Sequence, residues 1–154
     1  MNTSILNAYL GNKAEYYIQS FEKVSSKGTA WNWAAFLLGI GWLCYRGMYR
    51  YALIFGILVI VETVVEILFS LPESISNGVT IGIWVGFGML GNTIFKMHCD
   101  KQMALIESMP LSDDERIAVA AAKGKPSMAN GFLGMFLFIG AIIALVYLIE
   151  VILG

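Results

Sequence analysis

The chain has 154 residues, of which 58% are hydrophobic and only 14% are charged, and its mean hydropathy is +0.71. Soluble domains carry about 25% charged residues, so this composition excludes an ordinary soluble domain and indicates a membrane protein. Ten Lys and Arg residues nearly balance eleven Asp and Glu residues, for a net charge of −1. That balance excludes a nucleic-acid-binding protein that relies on bulk positive charge.

The first element is an amphipathic helix predicted over residues 5–24, where apolar side chains recur at the spacing of one helix face. It is too polar to span a bilayer, so it either lies on the membrane surface or docks on its own chain. Residues 25–28, Ser-Ser-Lys-Gly, end it. We therefore separate an N-terminal cytoplasmic or interfacial segment, 1–28, from a membrane domain, 29–154.

A short apolar segment follows at residues 31–45. It is shorter than the roughly 20 residues that a transmembrane helix needs, and Gly39 and Gly41 lie at its centre, where a helical hairpin would turn back. Aromatic residues lie towards both ends, as expected when both ends reach the same membrane interface: Trp31, Trp33, Trp42 and Tyr45. The pattern favours a re-entrant or interfacial hairpin, and a strained full span is the alternative.

Three longer apolar segments, 52–71, 79–95 and 132–153, are predicted to span the membrane. The turn-like residues 72–77 join the first two as an antiparallel hairpin. The polar stretch 96–130 contains a short cytoplasmic helix predicted over 113–123. Ser112 and Glu115 have the spacing of a capping box there, and Gly124 suits the position after the last turn. The predicted fold is thus an all-α integral membrane protein.

All ten basic residues precede the first long span or lie between the second and third, so they all fall on one side of the membrane if the 31–45 segment does not cross. Cytoplasmic loops carry an excess of Lys and Arg. We therefore expect a multi-pass protein with a cytoplasmic N-terminus and a C-terminus on the opposite side.

Two patches carry a family resemblance. The first is Asn32-Trp33-Ala34-Ala35-Phe36, with Gly39, Trp42 and Tyr45-Arg46-Gly47-Met48-Tyr49, and the second is Gly91-Asn92 with Phe95 and His98. Over roughly residues 31–100 the chain resembles the domain-of-unknown-function 2628 family of small bacterial membrane proteins. Gly47 and Ile40-Gly41 depart from that family's usual Lys and Pro. The resemblance implies a bacterial inner-membrane protein and brings no established activity. In such a membrane, the C-terminus that the charge distribution places opposite the cytoplasm is periplasmic.

Glu62 and Glu66 lie four residues apart inside the first span, on one helix face, and Glu150 lies in the third. A charged acid at mid-bilayer costs about 2.5–3.5 kcal/mol on insertion scales, and the spans contain no Lys or Arg. The acids either carry protons or cations, or are protonated and hydrogen-bond to a neighbour such as Thr63, Thr80, Asn92 or Thr93.

Gly78, Gly82 and Gly86 form a tandem G-x-x-x-G pattern that lets another helix approach closely. Its partner is either another span of the same chain or a second subunit. Arg46 and Arg50, with Tyr45 and Tyr49 beside them, are expected either to bind anionic lipid headgroups or to anchor the chain at the interface by snorkelling.

The sequence contains none of the common enzyme motifs, and we expect no catalytic residue and no cofactor. His98, Cys99, Asp100 and Cys44 lack the spacing of a metal site, so no metal is expected. Two functions stay open: a non-enzymatic, homo-oligomeric scaffold or modulator of a membrane complex, or a small oligomeric channel or proton- or cation-coupled transporter using Glu62 and Glu66. We favour the first.

Overall fold

A computed structural model describes residues 2–153, and every regular element within that range is helical. The all-α prediction is confirmed for these residues. The helices follow one another along the chain, with a 3-10 turn at Gly11–Lys13: α1 (Thr3–Leu10), α2 (Ala14–Lys27), α3 (Trp33–Leu38), α4 (Ile40–Tyr45), α5 (Tyr49–Phe69), α6 (Glu73–Glu107), α7 (Asp113–Gly124) and α8 (Met128–Leu153).

Three of these helices, α5, α6 and α8, contain the segments that are long and apolar enough to cross a membrane. They are the helices over which the three spans were predicted. The segment 31–45, in contrast, contains only the six-residue helices α3 and α4. Neither is long enough to cross a bilayer.

The turn between α5 and α6 is shorter than predicted. Ser70 takes a left-handed conformation, with φ 47°, directly after α5. Pro72 then precedes α6, and its carbonyl accepts hydrogen bonds from the amides of Ile75 and Ser76. A proline lacks only an N–H that a helix start does not use, so the helix begins immediately. The predicted turn over residues 72–77 is therefore wrong from Glu73 onward.

Helix α6 has 35 residues and is about 52 Å long at 1.5 Å per residue, against a hydrocarbon core of about 30 Å. The polar stretch predicted from residue 96 is therefore helical as far as residue 107. Phe95, Cys99, Met103 and Ile106 explain this, because they share one helix face and each is at most 1% exposed. The charged residues of the stretch as far as residue 107, Lys96, Asp100, Lys101 and Glu107, lie on other faces of the helix.

The described chain divides into two compact units. The first runs as far as Leu37 and also includes Val85–Pro126, and the second comprises Leu38–Trp84 and the residues from Ser127 onward. Each unit joins segments that are distant in sequence. The N-terminal segment 1–28 lies within the first unit.

In the first unit the N-terminal helices pack on their own chain. The rings of Tyr17 and Phe21 of α2 lie 4.6 and 5.8 Å, between centroids, from the ring of Phe95 in α6. Helix α1 packs on α7 and on α2. Of the two alternatives for the N-terminal helix, docking on its own chain is the one observed.

This N-terminal segment is two helices, not one. Gly11 ends α1 with a positive φ of 60°, where a residue with a Cβ would be strained. Helix α2 continues through Ser25, Ser26 and Lys27 and ends at Gly28, whose φ is 80°. The predicted single helix over 5–24 is therefore wrong at both Gly11 and residue 25.

In the second unit α4 packs against α8 and α5. A Cβ added to Gly41 of α4 would lie 3.5 Å from the carbonyl oxygen of Gly131 in α8, and one added to Gly134 would collide with the Cys44 side chain. The amide of Ser127 donates to the carbonyl of Tyr45. Small residues on both helices thus allow close packing.

Gly39 separates α3 from α4. It has a positive φ of 49°, and a Cβ at this position would lie 2.6 Å from the Trp84 ring. Both facts require glycine here. The break predicted at the centre of the 31–45 segment occurs at Gly39, while Gly41 lies inside α4.

Helix α7 begins as predicted. The Ser112 side chain accepts from the Glu115 amide, and the Glu115 carboxylate accepts from the Ser112 amide at 2.8 Å, which completes a capping box. Gly124, expected after the helix, is its last residue. Its role is close packing, because a Cβ there would collide with the carbonyl of Tyr9 in α1.

Candidate functional site

Two buried asparagines join the residues of the two sequence patches. The Nδ2 of Asn32 donates to the Oδ1 of Asn92 at 2.9 Å, and the Nδ2 of Asn92 donates to the carbonyls of Ala30 and Trp31 at 3.3 and 3.1 Å. The Oδ1 of Asn32 accepts from the amide of Ala35, in the first turn of α3. Both asparagines are at most 2% exposed, and each is hydrogen-bonded.

Main-chain bonds extend this contact along α6. The amide of Asn32 donates to the carbonyl of Gly88 at 2.8 Å, and the Thr29 hydroxyl donates to the carbonyl of Met89. Residues 29–32 therefore lie directly on α6. We call this set the asparagine clasp: Asn32, Asn92, Thr29 and the main chain of residues 30–31 and 88–89.

Glycines of α6 make the clasp possible. A Cβ on Gly91 would lie 2.5 Å from the Cβ of Ala35, and one on Gly88 would lie 2.9 Å from the Trp31 ring and 3.0 Å from the Cβ of Phe36. Real Cβ atoms do not approach so closely. The small residues of both patches thus permit the approach that the asparagines then hold.

The acids that were predicted to lie within the membrane all belong to the second unit. Glu62 of α5 is half-buried, and its Oε1 accepts a hydrogen bond of 2.7 Å from the Thr80 hydroxyl of α6. Glu66 lies one turn further along α5 and is also half-buried.

The carboxyl group of Glu62 can act in two ways. A carboxyl group that accepts from a threonine hydroxyl has its other oxygen available to hold a proton or to accept a further bond. Thr80 is one of the partners that the sequence suggested for Glu62. Glu150, the third acid of the set, lies on α8 with an exposed side chain.

The model of a family described as "Protein of unknown function (DUF2628)" matches residues 8–100. The chain belongs to the DUF2628 family. The resemblance based on the two patches is thereby confirmed. No curated protein is significantly similar to the chain, and no solved structure is either.

The matched part of this DUF2628 chain contains both sides of the asparagine clasp and both acids of α5. Helix α7 and helix α8 follow the match. The motif residues Asn32, Ala35, Gly91 and Asn92 are therefore explained by a structural contact inside the matched segment.

The aromatic and basic residues predicted at the interface fall into three groups. Trp42 is 1% exposed and Arg46 is buried, with its guanidinium carbon 5.5 Å from the centre of the Tyr45 ring. Trp31 and Tyr45 are half-buried. Trp33, Tyr49 and Arg50 are exposed, and the Tyr49 hydroxyl accepts from Asn130 at 2.8 Å. The exposed group is the one whose side chains lipids can reach.

The space above the three glycines that were predicted to pack against another helix is open. A Cβ on Gly78, Gly82 or Gly86 would meet no atom within 4 Å, apart from its own helix and chain neighbours. The glycines of α6 that pack within the DUF2628 chain are Gly88 and Gly91, which continue the pattern on a different face. Among residues 2–153, therefore, no other helix approaches these three glycines closely, and their contact with a second subunit stays a prediction.

The residues considered as metal ligands have other surroundings. His98 lies with its Nε2 3.0 Å from the Tyr9 hydroxyl. Cys99 is fully buried on α6, and Cys44 packs on α8, where burial raises the pKa of its thiol. Within the described residues neither cysteine forms a disulfide bond. Residues 2–153 contain no group of three or more His, Cys, Asp or Glu suited to a metal ion.

Two features of the DUF2628 chain were missed from the sequence. Helix α4 packs closely on α8 at Gly131 and Gly134. The sequence signal for this contact was two small residues three positions apart in an apolar segment. The pairing of Asn32 with Asn92 was missed because no local pattern connects residues 60 positions apart.

Proposed function

We propose that this DUF2628 protein is a non-enzymatic protein of the bacterial inner membrane that assembles with itself and serves as a scaffold or modulator of a membrane complex. The proposal places the N-terminus and residues 96–130 in the cytoplasm and the C-terminus in the periplasm, following the distribution of Lys and Arg. It also includes a further membrane protein as a partner.

The observation that carries the proposal is the open glycine face of α6. Gly78, Gly82 and Gly86 recur every four residues, so they share one helix face, and outside α6 no described atom would lie within 4 Å of a Cβ added at any of them. Lipid provides no hydrophobic force between helices, and association there depends on close van der Waals contact at small residues. A second copy of α6 fits this requirement.

Other glycines of α6 support the same proposal. Other residues of the same chain occupy the space above Gly88 and Gly91. The bonds of the asparagine clasp are also satisfied internally. The assembly surface that we propose is thus distinct from the contacts that hold the chain itself together.

The test is the oligomer size of the purified full chain in mild detergent, measured by native mass spectrometry. Gly82→Leu and Gly86→Leu are expected to convert the oligomer to a monomer, because a branched side chain separates the two backbones. Gly140→Leu on α8 is the matched control, since Gly140 also has open space above it. A monomeric wild type, or an oligomer retained in both variants, would contradict the proposal.

A second candidate function is a small oligomeric channel or a proton- or cation-coupled transporter. The observation that favours it is the pair Glu62 and Glu66, both half-buried in an apolar helix, with Glu62 bonded to Thr80. Three spans are too few to enclose a pathway in one subunit, so this function also needs the oligomer. Flux measurements on Glu62 variants separate the two candidates.

We also propose anionic lipids as partners at the exposed interfacial residues. Arg50 and Tyr49 are exposed at the start of α5, and a guanidinium beside an aromatic ring suits a phosphate headgroup. Buried Arg46 and Trp42 are not part of this proposal.

A further inference from the structure

A groove in the first unit lies between α1, α2 and α6. The groove is open on its outer side, and its volume is about 440 Å³, within the range of about 300–1,000 Å³ of sites that bind small molecules. Its apolar lining residues, which we call the floor, are Leu6, Ile18 and Phe21. Leu6 and Phe21 are themselves buried and fixed by packing. The floor is therefore a preformed apolar surface.

Charged side chains of both signs also line this groove. Glu22 of α2 and Lys96 and Asp100 of α6 line it. Lys96 and Asp100 form an ion pair with a distance of 2.7 Å, and their side chains are 29% and 44% exposed. Exposed pairs of this kind contribute little stability. A ligand with an anionic group for Lys96 and a cationic group for Asp100 can therefore replace this ion pair with little loss of stability.

The groove lies at a defined depth along α6. No charged residue occurs from Ser74 to Phe95, and Lys96 is the first one after this apolar stretch. If α6 spans the membrane as proposed above, Lys96 and the charged side of the groove lie at the cytoplasmic edge of the bilayer, where phospholipid headgroups are found. The inference rests on that part of the proposed function.

We propose that this groove binds an aminophospholipid, a lipid whose headgroup carries both a phosphate and a primary ammonium. The phosphate pairs with Lys96, the ammonium donates to Asp100 and Glu22, and the start of an acyl chain covers Leu6, Ile18 and Phe21. Two acids against one lysine disfavour a purely anionic headgroup. A quaternary ammonium cannot donate the hydrogen bonds that these carboxylates accept.

The experiment titrates the purified full chain in detergent micelles with dioctanoyl lipids and measures binding by native mass spectrometry. The probes are phosphatidylethanolamine, phosphatidylcholine and phosphatidylglycerol. Phosphatidylethanolamine is expected to bind about tenfold more tightly than the other two, as charge-assisted hydrogen bonds from its ammonium provide. Equal binding of the three lipids, tighter binding of phosphatidylglycerol, or no binding would overturn the proposal.

Variants assign the binding to the groove. The double variant Glu22→Gln and Asp100→Asn is expected to lower the affinity for phosphatidylethanolamine to that for phosphatidylcholine. Lys96→Gln is expected to weaken binding of all three lipids. Glu15→Gln and Lys101→Gln remove exposed charges from the same two helices outside the groove and serve as controls. A preference for phosphatidylethanolamine that survives the double variant would overturn the assignment.

A bulky substitution at the floor tests the acyl contact separately. Ile18 is half-buried and lines the groove, so Ile18→Trp fills it and is expected to abolish binding. A binding curve unchanged by Ile18→Trp would contradict the proposed site. The same spectra report the oligomer size, so a failure of self-assembly is distinguished from a failure of lipid binding.

Discussion

Asn32 and Asn92 are 60 positions apart, yet their side-chain amides share a hydrogen bond of 2.9 Å at a fully buried site. Asn92 also donates to two carbonyls of the segment that precedes α3. At a buried site such amides have no water to replace a lost partner. The pair therefore determines where residues 29–36 sit on α6.

Loss of the Asn92 amide is expected to destabilise the chain. Asn92→Leu removes three hydrogen bonds and leaves the buried Nδ2 of Asn32 without its acceptor, which we expect to cost about 3 kcal/mol. The measurement is the free energy of unfolding by denaturant in detergent micelles. Asn77→Leu, at an exposed position of the same helix, is the control and is expected to change stability by less than about 0.5 kcal/mol. Equal stability of the two variants would contradict the clasp.

The glycines beneath the clasp give an independent prediction. Gly91→Ala places a Cβ 2.5 Å from the Cβ of Ala35, and such overpacking is expected to cost about 1–3 kcal/mol. Gly140→Ala, in open space on α8, is expected to be neutral or stabilising, since alanine favours a helix over glycine. Thermal unfolding in detergent compares the two variants. A Gly91→Ala protein as stable as the wild type would show that α3 does not lie this close to α6.

Glu62 distinguishes a hydrogen-bonding role from a transport role. If Glu62 only accepts from Thr80, Glu62→Gln is expected to be nearly silent, and Glu62→Leu and Thr80→Val should each cost about 0.6 kcal/mol, the average for hydrogen bonds in membranes. We expect no proton or cation flux in proteoliposomes of either the wild type or Glu62→Gln. Flux that is present in the wild type and lost in Glu62→Gln would favour the transporter instead.

Topology is tested by reporter fusions at residues 1, 75, 120 and 154. Because all ten basic residues belong to two regions, we expect cytoplasmic reporters to be active at 1 and 120 and periplasmic reporters at 75 and 154. A periplasmic N-terminus would show that the 31–45 segment crosses the membrane, in contradiction to the proposed topology.

The capping box of α7 predicts a dependence on pH. Hydrogen bonds from the Ser112 amide and hydroxyl hold the pKa of Glu115 below its ordinary value, so their stabilisation is complete above that ordinary value and is lost as the pH falls through the lowered pKa. Ser112→Ala is expected to cost about 1 kcal/mol near neutral pH, and less in acid. Hydrogen exchange of residues 113–124 measures it. Ser108→Ala, at an exposed serine outside the cap, should have no such pH dependence, and a Ser112→Ala effect independent of pH would contradict the prediction.

The sequence alone determined the features that depend on neighbours within a few residues. Apolar runs located the three long helices, the Ser112–Glu115 spacing located the start of α7, and Gly39 marked the break between α3 and α4. The two motif patches identified the family. Hydrophobic periodicity, helix capping and positive φ depend on residues close in sequence, so they can be predicted from the sequence alone.

Only the tertiary structure decided which faces meet. The sequence singled out Gly78, Gly82 and Gly86 of α6 as packing glycines, yet Gly88 and Gly91 are the ones that lie against other residues of the described chain, while the space above the first three is open. The continuation of α6 to Glu107 depends on packing of its C-terminal part against α1 and α2. Partners such as Asn32 and Asn92 are selected by shape and hydrogen bonding between distant segments, and the composition of neither segment contains that information.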